Sequence, residues 1–389
     1  MILSRLYQVL IVPSAAAIAL GSGCAAENRG SLNTGQSAAN NPPSRTAAAE
    51  LDRSRDLRLF GVDDSAQDIV FEGRAAIDIE QHTFPGEGAD FDPEVDPDGK
   101  HLVFASTRHS RHSHLYTKVI GGAVITQITD EQANDVQPAF SPSGSRVAFS
   151  SNRSGQWDIW VVDANGKNPT QITNTPAPEL HPSWSPDSRR LVYCRLTSNE
   201  NRGELWVVDL DNPGMKRFIG EGLFPSWSPK GDKIVYQRAR ERGSGWFSIW
   251  TLDFQDGEVL YPTEIASSPS AAYISPTWSA DGEQIAFAAV VGAKPIATSG
   301  GEARPATVKN RSDILIVDAD GRGLQRLTDG RGESYSPSWA VDGRIFYTAR
   351  FNDGETIWSV KPFRPARPNE PSITTGNRRA AGVFDAQGE

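Results

Sequence analysis

Between Asp135 and Thr173 the apolar and polar positions alternate in short runs, and turn residues separate the runs. Residues 135–140, 145–151, 158–163 and 170–173 are short apolar or β-branched runs with the content of strands. Ser141-Pro142-Ser143-Gly144 supplies the first turn, with proline fixing φ and glycine reaching positive φ. Asn165-Gly166 supplies a tight hairpin further on. Pro138 has no N–H to give to a ladder, which places the first strand at a sheet edge.

The pattern recurs. Pro93, Pro138, Pro182, Pro225, Pro276 and Pro337 each stand two residues before a Trp, Phe or Val, and a short turn follows. Their spacings are 45, 44, 43, 51 and 61 residues. Four strands per repeat at such a period is the signature of propeller blades, which bury both sheet faces against their neighbours. The expectation is an all-β chain: a six-bladed β-propeller of four-stranded antiparallel blades over residues 77–363. Gln81-His82-Thr83 matches Gln127-Ile128-Thr129, Gln171-Ile172-Thr173 and Arg326-Leu327-Thr328, all in fourth-strand positions. Residues 77–83 are therefore expected to complete the last blade and close the ring. A glycine- and proline-rich insertion at residues 288–311 is read as a surface loop, with a ligand lid as the other reading.

Composition changes the picture at the ends. Arg5, an apolar run over residues 9–20 and Gly21-Ser22-Gly23-Cys24 form a signal peptide over residues 1–24. Its end resembles a bacterial lipoprotein signal, which implies lipidation of Cys24; Gly21 stands where that motif usually has Leu. Ordinary cleavage after Ala26 is the alternative. Residues 25–56 are rich in small and polar types and read as a flexible linker, 57–76 as an N-terminal extension and 364–389 as a disordered tail. A net charge of −9 without a basic stripe argues against nucleic acid as a partner. Beyond residue 24 no apolar run reaches membrane-spanning length, so membrane contact is expected through a lipid anchor alone.

The motif Pro-x-Trp-Ser-Pro-Asp-Gly, followed by an Ile-Ala-Phe-like strand and Asp-Ile-Trp-Val-Val-Asp-Ala-Asn-Gly, resembles the WD-type propeller of the TolB-like family. The resemblance covers residues 77–363 and implies the propeller fold; the signal peptide and Cys24 set the expected location, the periplasm or cell surface. The resemblance does not extend to the α/β domain that precedes the propeller in TolB proteins. Propeller-bearing peptidases are also similar, but no residues remain here for their hydrolase domain.

Candidate chemistry is sparse. Asp163–Gly166 and Asp318–Gly321 lack the spacing of a calcium loop and read as hairpin turns. His109, His112 and His114 lie among Arg108 and Arg111 and read as a solvated loop, so no metal site and no cofactor is expected. Cys194 reads as a small buried hydrophobe, and no Gly-x-Ser-x-Gly elbow occurs. Arg108, Arg153, Arg195, Arg238 and Arg350 recur at second-strand ends, which implies an architectural role with nearby carboxylates.

Residues just before each anchor proline are expected at the mouth of the central channel. Asp90, Asp92, Asp135, Gln137, Glu179 and His181 would form an acidic half of the rim, and Phe224, Tyr273 and Tyr335 an aromatic half. Such a surface suits a peptide or protein with a basic or amide-bearing end. The function expected is a monomeric, non-catalytic binding scaffold of the cell envelope. The alternative is a propeller-fold polysaccharide lyase or hydrolase acting at the channel mouth; His181 is the one clear histidine there.

Overall fold

The computed structural model describes residues 76–84, 86, 88–197, 203–239, 247–255, 257–291, 311–330, 332–351 and 354–363. The expected signal peptide, Cys24, linker, C-terminal tail and most of the fifth-repeat insertion lie outside these residues. Among the described residues every regular element is a strand, and no helix is long and apolar enough to cross a membrane.

The chain begins with β1 (Ala76–Gln81) and then builds sheets in sequence order. The first holds β2 (Asp90–Val95), β3 (His101–Ser106), β4 (His114–Val119) and β5 (Ile125–Gln127). The second holds β6 (Asp135–Phe140), β7 (Arg146–Ser151), β8 (Asp158–Asp163) and β9 (Thr170–Gln171). The third holds β10 (Glu179–Trp184), β11 (Arg190–Leu196), β12 (Gly203–Asp209) and β13 (Lys216–Glu221). The fourth holds β14 (Leu223–Trp227), β15 (Lys233–Ala239), β16 (Phe247–Gln255) and β17 (Glu258–Ala266). All four are antiparallel, and the proline-bearing strand lies at one edge of each, where its missing N–H costs no ladder bond.

The remaining strands form one eight-stranded sheet. It comprises β18 (Ala272–Trp278), β19 (Gln284–Val291), β20 (Arg311–Asp318), β21 (Gln325–Arg326), β22 (Glu333–Trp339), β23 (Ile345–Phe351), β24 (Gly354–Pro362) and β1. Its two halves join only through one parallel pair, Ser312 with Glu333. The Asn165-Gly166 turn forms as expected: Gly166 takes φ +84°, its N–H bonds Asp163 O at 2.8 Å, and a Cβ there would meet Ile128 O at 2.5 Å.

The core lies between neighbouring sheets, because each strand presents alternate residues to opposite faces. Phe91, Val103 and Leu115 of the first sheet pack on Val136, Val147 and Phe149 of the second. Ile159 and Ala148 of the second pack on Leu191, Tyr193 and Val208 of the third. The series ends where it began: Val95, Leu102, Phe104 and Tyr116 of the first sheet pack on Phe346 and Ile357 of the last. Burial of each such large side chain contributes about 1.5–3 kcal/mol.

β1 closes the last sheet. It pairs antiparallel with β24, from Ala76 opposite Pro362 to Gln81 opposite Trp358. The hydrogen bonds of the following segment repeat those of genuine fourth strands. His82 N bonds Ile357 O at 2.8 Å, as Ile128 N bonds Leu115 O, Ile172 N bonds Ile159 O and Leu327 N bonds Ile314 O. Thr83 Oγ1 accepts Ile357 N–H, as Thr129, Thr173 and Thr328 accept from Leu115, Ile159 and Ile314.

Candidate functional site

Six residues, Asp92, Gln137, His181, Phe224, Ser275 and Ser336, directly precede the anchor prolines and line one cavity of about 140 Å3. Each has φ between 50° and 56°, the left-handed region. Each also sits at a shift in pairing register between the first and second strands of its repeat. A bulge at this position turns the side chain out of the alternation and into the cavity. Left-handed backbone at a non-glycine residue costs on the order of 1–3 kcal/mol and persists where surrounding contacts determine it. Those contacts come from the preceding repeat. Asp92 N–H donates to Thr348 Oγ1 at 3.0 Å, His181 N–H to Ser150 Oγ at 3.2 Å, and Ser275 N–H to Gln237 Oε1 at 2.8 Å.

One side of the cavity is acidic. Asp92 accepts Ser336 Oγ–H on Oδ1 at 2.9 Å, while Oδ2 is buried and has no hydrogen-bond partner among the described residues. Burial pushes the Asp92 carboxyl up to about 6, and burial likewise pushes the adjacent Glu94 up to about 7. Two and three repeats away the lining is aromatic. His181 and Phe224 stack with ring centroids 3.6 Å apart. The Gln137 side-chain amide lies 3.1 Å from His181 Nε2, and burial lowers the imidazole to about 3. The ring is therefore neutral at ordinary pH and serves as a flat hydrogen-bonded surface.

Of the nine residues expected at the rim, Asp92, Gln137, His181 and Phe224 line the cavity. The other five are elsewhere. Asp90 is fully buried, with Arg108 Nη2 2.7 Å from Oδ2 and Ser106 Oγ 2.6 Å from Oδ1. Asp135 is also fully buried, and Arg153 Nη2 lies 3.0 Å from both its oxygens. Tyr273 packs on Phe287 at 4.7 Å. Tyr335 stands one residue from Ser336, the true counterpart of Asp92, and lies under Arg350. Glu179 is fully buried too, and its oxygens make no hydrogen bond of normal geometry among the described residues. Burial raises its carboxyl; the nearby Thr173 and Thr175 hydroxyls oppose that shift. Gly222 fills the same position in the fourth sheet because Tyr236 occupies the space: a Cβ would meet its ring at 2.4 Å.

The recurrent arginines are structural, as their repetition implied. Besides Asp90 and Asp135, they reach Glu204 from Arg195 and both Glu333 and Glu355 from Arg350. Arg108, Arg153, Arg195 and Arg238 also lie over the third-strand aromatics Tyr116, Trp160, Trp206 and Trp250. Cys194 is fully buried in β11, and burial pushes its thiol up to about 12. One expectation is corrected: His114 is not in a solvated loop but is 5% exposed at the start of β4, held there because its strand packs against the second sheet. Among the described residues no three His, Cys, Asp or Glu side chains come together as metal ligands.

Comparison with known proteins follows the same pattern. The family model of the TolB beta propeller domain matches residues 80–168 and 156–311. An uncharacterized protein of Agrobacterium fabrum is 32% identical over 72 residues, 18% of this chain and 24% of that protein. The Tol-Pal system protein TolB of Nitratidesulfovibrio vulgaris is 42% identical over 45 residues, 12% of this chain and 10% of that protein. The matched stretches thus span a quarter or less of these relatives. A solved TolB-type structure from Agrobacterium tumefaciens shares the fold with a TM-score of 0.51 and 22% identity, over 72% of this chain and 91% of that one. Oligogalacturonate lyase of Vibrio parahaemolyticus does so with a TM-score of 0.50 and 12% identity, over 74% and 97%. At these identities the two structures speak to fold alone, whereas the family model spans more than half of the chain: it belongs to the TolB β-propeller domain family.

Proposed function

We propose that this chain is a six-bladed propeller that works as a non-catalytic binding scaffold of the cell envelope, with the shared cavity receiving the end group of a protein or peptide partner. The eight-stranded sheet is then two blades meeting at the Ser312–Glu333 pair, and β1 is the outer strand of the last blade. The observation that carries the reading is the cavity itself: all six repeats line it, with Asp92 and Glu94 on one side and His181 and Phe224 on the other. At about 140 Å3 it is smaller than ordinary small-molecule pockets of roughly 300–1,000 Å3. It suits one side chain of a larger ligand lying across the mouth. A lyase reading has less support, because His181 is neutral and stacked and no cluster of metal-ligand side chains surrounds it among the described residues.

Export with Cys24 lipidated, in a monomer facing the periplasm or cell surface, is part of this proposal; a named relative is a Tol-Pal system protein. Metabolic labelling with a palmitate analogue should mark the parent and not Cys24→Ala; equal labelling of both contradicts the anchor. For the site, buried aromatic anchors carry much of the affinity in such interfaces. Phe224→Ala should weaken capture of the native envelope partner by about 1–3 kcal/mol. Quantitative affinity capture from envelope extracts measures this, and undiminished capture would remove the cavity from the binding site.

A further inference from the structure

At the seam between β1 and β24 the repeat is broken by one residue. Where other copies place Ile128, Ile172 and Leu327, the closing segment places His82, with the same backbone bond to the third strand. His82 is 6% exposed. Its Nε2 lies 2.7 Å from Ser359 Oγ on β24, and its ring lies 4.7 Å from Phe346 on β23. An aliphatic side chain would satisfy this packing, so the imidazole adds something other than apolar contact.

The charges that act on it are mostly positive. Lys118 of β4, itself 8% exposed, donates from Nζ to His82 O at 2.6 Å. Arg344, in the turn before β23, donates to Ser359 Oγ at 3.1 Å and to Asp78 O at 3.2 Å. The opposing charges are Glu80 of the closing segment, 3.6 Å from Arg344, and Asp342, 3.9 Å from it, with side chains 58% and 54% exposed, where water screens them; Asp90 acts on Lys118 but is held by Arg108. Ser359 and Phe346, the neighbours from β24 and β23, do not titrate in this range. A third positive charge on the ring would enter a buried seam that already holds two.

We propose that this seam is an acid-released latch: protonation of His82 frees β1 from β24 while the other sheets stay folded. Release would expose the edge of β24, a row of unpaired backbone groups that can take up another strand. Burial is the largest cause that lowers the imidazole from 6.5 to about 4; Lys118 and Arg344 lower it further, and Glu80 opposes them. Because the folded value is depressed, the latch has its full stability above pH 6.5 and loses it as pH falls toward 4. From those two values, the opening equilibrium at pH 5 rises about thirtyfold over that at pH 7.5.

Hydrogen exchange read by mass spectrometry on the intact chain tests this, with amide rates corrected for the intrinsic effect of pH. Protection of residues 76–84 should fall about thirtyfold between pH 7.5 and pH 5, while β14–β16 keep theirs. His82→Leu restores the residue type of the other repeats, and His82→Gln keeps a neutral polar group beside Ser359. Both should hold the segment equally protected at the two pH values. The proposal is overturned if the parent segment shows no loss of protection, if either variant shows the same acid loss, or if all sheets lose protection together.

Discussion

A chain lacking residues 76–83 is expected to keep its other sheets folded in dilute buffer but with much reduced stability. The deletion removes β1, whose pairing with β24 runs from Ala76 opposite Pro362 to Gln81 opposite Trp358. It also removes the Thr83 Oγ1 acceptor for Ile357 N–H, the His82–Ser359 contact and the buried anchor of Lys118. Each hydrogen bond contributes roughly 1 kcal/mol net, and each buried donor left without a partner costs about 1–3 kcal/mol. The combined loss is a large part of the 5–15 kcal/mol that holds a typical domain together, but short of the whole. The deletion also exposes the β24 edge to intermolecular pairing. The truncated chain should therefore aggregate or unfold at a much lower urea concentration, and adding residues 76–84 as a peptide should recover part of the loss. An unchanged urea midpoint would mean that the ring does not depend on β1 for closure.

The second large effect separates two acids that look equivalent in sequence. Asp135→Asn should destabilise the fold by about 3 kcal/mol or more, because Arg153, 11% exposed, would then be a buried cation without its counter-charge. Glu179→Gln should fall within about 1 kcal/mol of the parent or above it, since burial raises the Glu179 carboxyl and the Thr173 and Thr175 hydroxyls and the Lys216 charge offset that only in part, with no ion pair like that of Arg153. Denaturant unfolding of the two variants at pH 7.5 measures the difference. Equal losses at both positions would show that Lys216 supports the Glu179 charge as strongly as Arg153 supports that of Asp135.

Strand pairing was legible in the sequence because its causes are local. Pro138 excludes itself from a ladder interior, Asn165-Gly166 dictates a hairpin, and the Gln-x-Thr ending of residues 81–83 matches fourth strands closely enough to predict the β1–β24 closure. The cavity was half legible. Positions just before the anchor prolines point into it, but simple alternation then suggested that Asp90, Asp135 and Glu179, two residues earlier, share that direction. The bulge breaks the alternation between the two positions, and the sequence gives no sign of it. Gln, Phe and Ser are not residues that announce positive φ, and although Asp and His adopt it more readily, a following proline argues against helical backbone altogether. Tyr335 was a one-residue slip, since Ser336 directly precedes Pro337 as Asp92 precedes Pro93, and the bulge hid Glu94, which lies beyond the anchor proline. His114 was misread because its burial depends on the neighbouring sheet and not on its own polar loop.

The most direct test of the binding proposal is site-specific photo-crosslinking in cells that express the full chain. A photoreactive residue would replace Ser336, which lines the cavity, or Leu260, which is exposed on the outer strand β17. The account predicts a discrete adduct with one envelope partner from position 336, lost when Phe224→Ala is added, and no such adduct from position 260. The same adduct from position 260, with none from position 336, would contradict it.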